Sequence, residues 1–249
     1  MTALLSLENV SRAFGGLRAV DGVSFGIEAG EILGLIGPNG AGKTTLINVI
    51  TGVHPANSGR VIYDGRDITR LKPHQIAKLG LSRTFQIVQP FPKMTVLENV
   101  AAGALFAGQS PSMAEASREA MEQLRFTGLA SVADKPALSL TLAQRKRLEF
   151  AKGLAMKPRI LMLDEVNAGL NEAEIDDALA MIRKVAEKGV AIVLIEHLLK
   201  VVISVSNRIV VLHHGQLIAE GEPSAVLRDP AVVEAYLGAK YAARYGGAS

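Results

Sequence analysis

The apolar residues of this chain change their period several times, and those changes divide it into elements. Between residues 4 and 28 apolar and polar positions alternate (Leu5, Leu7, then Val20, Val23, Phe25, Ile27) around a Gly15-Gly16 break, which predicts an antiparallel β element. Glu31–Ile36 is a short apolar run closed by Gly37-Pro38-Asn39-Gly40. After Lys43 the residues Leu46, Ile47, Val49 and Ile50 recur at helical spacing, with Gly52 at a C′ position. Strand, glycine loop and helix in that order open a parallel βα unit. SGRVIY at 58–63, followed by Asp64-Gly65, predicts a strand and a turn.

Helical periodicity takes over from Thr95 to Leu129, interrupted at Gly108-Gln109-Ser110-Pro111, and reads as an inserted helical segment. The βα rhythm then returns with a helix over Arg145–Met156 and an apolar strand at Ile160–Leu163. A further helix is capped by Asn171 with Glu174 three residues on. Ile175, Ala178, Leu179, Ile182, Val185 and Ala186 share one face of that helix. Val190–Ile195 predicts a buried strand, 208–219 a hairpin turning at His214-Gly215, and Pro223–Leu237 a last helix. The resulting expectation is an α/β fold with a mainly parallel sheet, an N-terminal antiparallel β element and a helical insertion. One domain spans 1–237, the helical subdomain covers about 90–155, and 238–249 form a tail.

Composition narrows the function classes. A chain of 249 residues, 49% hydrophobic and 20% charged, is ordinary for a globular protein and excludes a disordered one. The net charge of +3 is too small to argue for nucleic acid or an acidic lipid surface. With no cysteine, disulfides, thiolate catalysis and cysteine-bound zinc are excluded. No stretch reaches 18 uninterrupted apolar residues and no signal peptide is visible, so the expected location is the cytoplasm.

The chemistry is carried by Gly37-Pro38-Asn39-Gly40-Ala41-Gly42-Lys43-Thr44, which fits G-x-x-x-x-G-K-[ST] between a strand and a helix. Glycines let backbone amides converge on phosphate oxygens, and the helix N-terminus adds its positive dipole end. Lys43 then reaches the β- and γ-phosphates, and the Thr44 hydroxyl is placed for Mg²⁺. Ile160–Leu163 delivers Asp164 and Glu165 at the C-terminal end of a strand, where open α/β sheets place ligands. Asp164 suits the metal shell, and Glu165 suits a general base toward water.

The order P-loop, Gln86, helical insertion, LTLAQ at 140–144, LMLDE, then His197 resembles the ATP-binding subunit of an ABC transporter. The spacings, 20 residues from Gln144 to Asp164 and 33 from Asp164 to His197, are in keeping with that family. The resemblance implies the P-loop NTPase core of an ABC ATPase, with ATP and Mg²⁺ as ligands. It implies that Phe14 stacks on adenine, where the residues alone also allow a core phenylalanine. Gly37 through Thr45 hold the phosphates, Gln86 touches Mg²⁺ and water and reports to the membrane partner, and His197 contacts the γ-phosphate. Thr141, Leu142, Ala143 and Gln144 replace the family's usual SGGQ and face the nucleotide of a second ATP-binding subunit. The Ala143 methyl is accommodated if φ there is negative and refused if it is positive.

RTFQ, PFPKMTVLENVAAGALF, DEVNAGLN, IEHLLKVV and VLHHGQLIAEGEP further resemble the branched-chain amino-acid (LivG-type) importers. That branch implies a homo- or heterodimer bound to permease subunits on the cytoplasmic face of the membrane, with a solute-binding protein as an indirect partner and no nucleic acid. The alternatives are a soluble ABC-type ATPase, a subunit with a degenerate signature, and a small-molecule P-loop kinase. The kinase would not need LTLAQ or His197.

Overall fold

A computed structural model of the chain describes residues 3–84, 90–107, 110–196 and 198–237. It divides into two compact units, one of residues 1–73 with 193–249 and one of residues 74–192.

In the first unit β1 (Leu5–Phe14) and β2 (Leu17–Ile27) form the antiparallel pair that the alternation predicts, turning at Gly15-Gly16. The alternating positions Leu5, Leu7, Val20, Val23, Phe25 and Ile27 are all buried. β3 (Ile32–Ile36) is buried at every residue, as its uninterrupted apolar run requires. α1 (Lys43–Ile50) follows the glycine loop and stops at Thr51, with Gly52 at positive φ in the C′ position. β4 (Ser58–Tyr63) turns through Asp64 and Gly65, φ 50° and 75°, into β5 (Arg66–Asp67). Two consecutive positive φ values are the type I′ geometry that matches strand twist. These strands make an antiparallel sheet in the order β2-β1-β4-β5.

The second unit begins within α2 (Pro73–Lys78) and contains β6 (Leu81–Arg83), α3 (Val96–Phe106) and α4 (Met113–Phe126). It continues with α5 (Leu142–Ala155), β7 (Ile160–Asp164) and α6 (Glu172–Ala186). β6 and β7 pair in parallel, Leu81 to Ile160 through Arg83 to Met162. The first helices announce themselves by caps: Thr95 with Glu98 in a capping box for α3, and Ser112 for α4. α3, α4 and α5 enclose a core of Val96, Val100, Ala104, Ala120, Leu124, Leu148 and neighbouring alanines. Small residues bring the helices close. A Cβ on Gly103 would lie 2.9 Å from the Lys152 carbonyl oxygen of α5.

The chain returns to the first unit through β8 (Ala191–Ile195), then α7 (Leu199–Val205), β9 (Arg208–His213) and β10 (Gln216–Gly221). β9 runs parallel to β3 from Leu33–Arg208 to Ile36–Val211 and antiparallel to β10. His214 and Gly215 form the second I′ turn, φ 48° and 81°. The last elements are α8 (Pro223–Val226) and α9 (Pro230–Leu237). Ile36, Val202, Ile209, Val211, Val226 and Val232 pack together as the core beneath them.

Two expectations are corrected. The last helix is broken: Pro230 disfavours helical geometry at Asp229, and the Asp229 carboxylate accepts a 2.8 Å bond from the Ala231 amide to start α9 afresh. The helix expected from Arg145 begins at Leu142 instead, because Thr141 is its N-cap. No helix among the described residues is long and apolar enough to cross a membrane.

Leu124 is fully buried in the helical core. Leu124→Ala is expected to lower stability by about 2–5 kcal/mol in urea unfolding. Met113→Ala, at a position 61% exposed, is expected to stay within about 0.5 kcal/mol of the unaltered protein.

Candidate active site

The glycine loop is shaped by what stands beside it. Gly37 follows the last residue of β3 with φ 149°, and a Cβ there would stand well inside 3.0 Å of the Leu212 carbonyl oxygen of β9. Gly42, the N-cap of α1 at φ 105°, is in the same position against the Ala19 carbonyl oxygen. Neither place admits a side chain. The loop is tied down from the β9–β10 turn, where the Gly215 amide donates to the Ala41 carbonyl at 3.0 Å and the Gly215 carbonyl accepts from Asp21 at 2.8 Å.

Lys43 is buried, and its Nζ donates to the carbonyls of Gly37 at 2.7 Å and Pro38 at 3.1 Å. The ammonium therefore lies over the loop itself, at the start of a helix that no side chain caps. Dipole and charge add at this point to make an anion site. The Thr44 side chain is exposed beside it. Phe14 is 42% exposed and is no core residue. Its ring meets His54 edge-on at 5.2 Å, and the Arg12 guanidinium lies 4.6 Å from its centroid.

A further residue of this loop's surroundings escaped the sequence reading. Tyr236 of α9 forms a hydrogen bond with the Gly37 backbone, packing over the core that includes Ile36. Burial pushes its phenol above the ordinary 10.0, and the bond from Gly37 pulls the other way. A bond that favours the phenolate is one donated to the oxygen, so the Gly37 amide is the donor.

In the second unit β7 delivers Asp164, 5% exposed, at its end. Its Oδ2 accepts from Arg83 at 2.8 Å, and its amide donates to the Thr84 hydroxyl at 3.3 Å. Arg83 and Thr84 belong to or follow β6, the parallel neighbour of β7. Glu165 is half-buried and sits at φ 51°, a left-handed conformation costing about 1–2 kcal/mol for a residue with a Cβ. Its carbonyl accepts a 2.7 Å bond from Lys146 Nζ and a 3.3 Å bond from the Ala168 amide. Asn171 and Glu174 form the expected capping box.

The signature segment begins α5. Thr141 Oγ1 accepts from the Gln144 amide at 3.3 Å, and Gln144 Oε1 accepts from the Thr141 amide at 3.0 Å. Ala143 is thus in the first helical turn, outside the left-handed region, where its methyl carries no backbone strain. Leu142 is 50% exposed and covers Gly169, whose Cβ would stand 2.9 Å from Leu142 Cδ2. The basic triplet that follows is engaged internally. Arg145 donates to the carbonyls of Leu140 and Leu138, Lys146 to Glu165, and Arg147 to the Asp177 carboxylate at 2.9 Å. Gln86 and His197 lie outside the described residues.

Comparison with known proteins decides the family. The model described as "ABC transporter" matches residues 20–168. This chain belongs to the ABC transporter family. A second model, "Branched-chain amino acid ATP-binding cassette transporter", matches residues 216–242.

The Pseudomonas aeruginosa protein named "High-affinity branched-chain amino acid transport ATP-binding protein BraF" is 41% identical, across 94% of this chain and 98% of that protein. The LivG protein of Escherichia coli K12, of the same description, is 39% identical over 94% and 98%. Among solved structures, the ADP conformation of an ATP-binding cassette of an ABC transporter aligns with a TM-score of 0.87, at 36% identity. It covers 96% of this chain and 100% of that one. A nucleotide-free ATP-binding cassette aligns at 0.86 and 36%, covering 94% and 99%. The fold is that of an ABC ATPase, the chain binds ATP, and its activity is ATP hydrolysis.

Because a Cβ at Gly42 meets backbone, Gly42→Ala is expected to weaken ATP binding by more than tenfold in a fluorescent-nucleotide titration. Gly16→Ala, where a Cβ would meet nothing within 4 Å, is expected to bind as the unaltered protein does. The Tyr236 phenol titrates higher in the folded than in the unfolded chain, so the folded state holds its proton longer. Its contribution is complete below the ordinary 10.0 and lost as pH rises through the folded value. The stability advantage over Tyr236→Phe in thermal melts is expected to shrink once pH passes 10.0.

Proposed function

We propose that this ABC ATPase powers an importer, driving uptake of a branched-chain or related amino acid, or a similar small solute, through membrane permease subunits. The solute reading rests on the near end-to-end likeness to BraF and LivG and on the match over residues 216–242. The observation that carries the chemical reading is Lys43, folded over the carbonyls of Gly37 and Pro38 at the uncapped start of α1. Residues 1–237 act as a single ATP-binding domain, with about 90–155 as its helical subdomain and 238–249 as its tail.

In this reading Gly37 through Thr45 cradle the phosphates, and Lys43 leaves the loop carbonyls for the β- and γ-phosphate oxygens. Phe14 is free to stack on adenine because its face is not in the core. The donor set suits Mg²⁺: the exposed Thr44 hydroxyl and the Asp164 carboxylate are hard oxygen ligands. When bound, Mg²⁺ neutralises charge on the β- and γ-phosphates. Arg83 holds one Asp164 oxygen, which orients the carboxylate. Glu165 takes the proton of the attacking water, and Gln86 and His197 contribute water positioning and γ-phosphate contact.

Two such subunits, identical or not, close head to tail with Thr141, Leu142, Ala143 and Gln144 of one against the ATP of the other. The helical position of Ala143 supports a working signature, since the start of α5 keeps its amides and dipole at this place. Hydrolysis releases the closed state, and the region of Gln86 passes the motion to the permease on the cytoplasmic face. A solute-binding protein acts on the far side, and nucleic acid takes no part.

Glu165→Gln is expected to lower phosphate release by about 10²–10⁴-fold while ATP binding persists, and Lys43→Ala to lose both. Chelation of divalent cations by EDTA is expected to stop hydrolysis. Tagged Glu165→Gln recovered from native membranes with ATP is expected to bring multi-spanning permease subunits with it. Ribosomal proteins, or no membrane protein, would point to a soluble ABC-type ATPase. Transfer of the γ-phosphate to a small acceptor in place of water would point to a kinase.

A further inference from the structure

We propose that Lys146 is a positioning residue that holds Glu165 in its reactive conformation, so that the start of the signature helix controls the catalytic loop of its own subunit. The proposal rests on the reading of Glu165 as the base.

Glu165 is a non-glycine residue at φ 51°, and a conformation of that kind persists only where its surroundings hold it. The charged hydrogen bond from Lys146 Nζ to its carbonyl, at 2.7 Å, fills that role. A donor with full charge makes a shorter and stronger bond than a neutral one. A lysine on a helix surface ordinarily extends its stem and leaves its ammonium in water. Here the residue is half-buried, and its stem lines an apolar cleft with Phe150, Val166, Leu170 and Ile182.

A second contact joins the same two segments. Leu142 lies on Gly169, at φ 79°, its Cδ2 2.9 Å from where a Cβ would stand. The first turns of α5 therefore touch the loop after β7 at two places, through Lys146 at Glu165 and through Leu142 at Gly169. A displacement of Thr141 and Gln144, the residues set to meet a nucleotide, moves Lys146 with them, because all share one rigid helix. The Glu165 carbonyl then loses or regains its charged donor, while the Ala168 amide stays within the loop. The departure of this chain from the usual SGGQ falls inside that junction: Leu142 supplies a side chain where glycine offers none.

The test is a double-mutant cycle on kcat for ATP hydrolysis in the full chain. Lys146→Met keeps the stem and removes the donor. Its expected result is a kcat reduced 10- to 100-fold at unchanged KM and unchanged ATP affinity. Lys146→Arg, which keeps a charged donor, is expected to recover most of the loss. In a Glu165→Gln background Lys146→Met is expected to cause no further loss, since it acts through that residue.

Wild-type kcat in Lys146→Met overturns the proposal while leaving Glu165 as the base. So does an equal loss with and without Glu165→Gln, which marks a merely structural role. Undiminished turnover in Glu165→Gln alone overturns the reading of the base instead. If Lys146→Met does not fold, Lys146→Gln takes its place under the same expectations. Leu142→Gly is expected to lower kcat less than Lys146→Met does, and a kcat at the wild-type value overturns its part in the junction.

Discussion

At the end of β3 the backbone runs so close to β9 that the Leu212 carbonyl leaves no room for a Cβ on Gly37, and five residues later Gly42 meets the same exclusion from Ala19. This crowding shapes the whole glycine loop. With both ends pressed against neighbouring carbonyls, the loop curls back on itself and the Lys43 amine comes to rest over it. β9 and the turn at His214-Gly215 stand directly against residues 37–42, and Tyr236 of α9 packs on the core that includes Ile36. A glycine loop of this kind depends less on what its glycines do than on what stands where their side chains would be.

The second unit meets a related demand by another means. The loop after β7 carries Glu165, a residue with a side chain, in a backbone conformation that favours glycine. A charged donor from outside the loop, Lys146, bonds to its carbonyl. Asp164 is treated likewise: it is buried with Arg83 as its partner, so an isolated buried charge is avoided. Strain and buried charge both concentrate at the two residues that terminate β7, which is where proteins tend to store them for function.

The altered signature fits the same logic. Thr141 and Gln144 retain a reciprocal cap, so the start of α5 is defined even without two glycines. Ala143 lies in helical geometry, where a methyl is welcome, and Leu142 lays its side chain on Gly169. The basic residues that follow spend their donors on carbonyls and on Asp177, so they brace the helix and do not form an open basic patch.

What the sequence determined by itself is local. The Gly37–Thr44 loop, the β1–β2 break at Gly15-Gly16, the I′ turns at Asp64-Gly65 and His214-Gly215 and the Asn171–Glu174 cap each depend on residues within a few positions of one another, and each was legible. The Thr141–Gln144 cap and the break at Pro230 carried the same kind of local signal but were hidden inside longer helical patterns. Tertiary structure alone decided which distant groups meet. Arg83 reaches Asp164 because β6 and β7 are parallel neighbours, Lys146 reaches Glu165 across the cleft between α5 and the loop after β7, and Tyr236 reaches Gly37 from α9. None of these partners has a spacing rule, since a side-chain contact between separate elements is set by how those elements pack and not by their order along the chain.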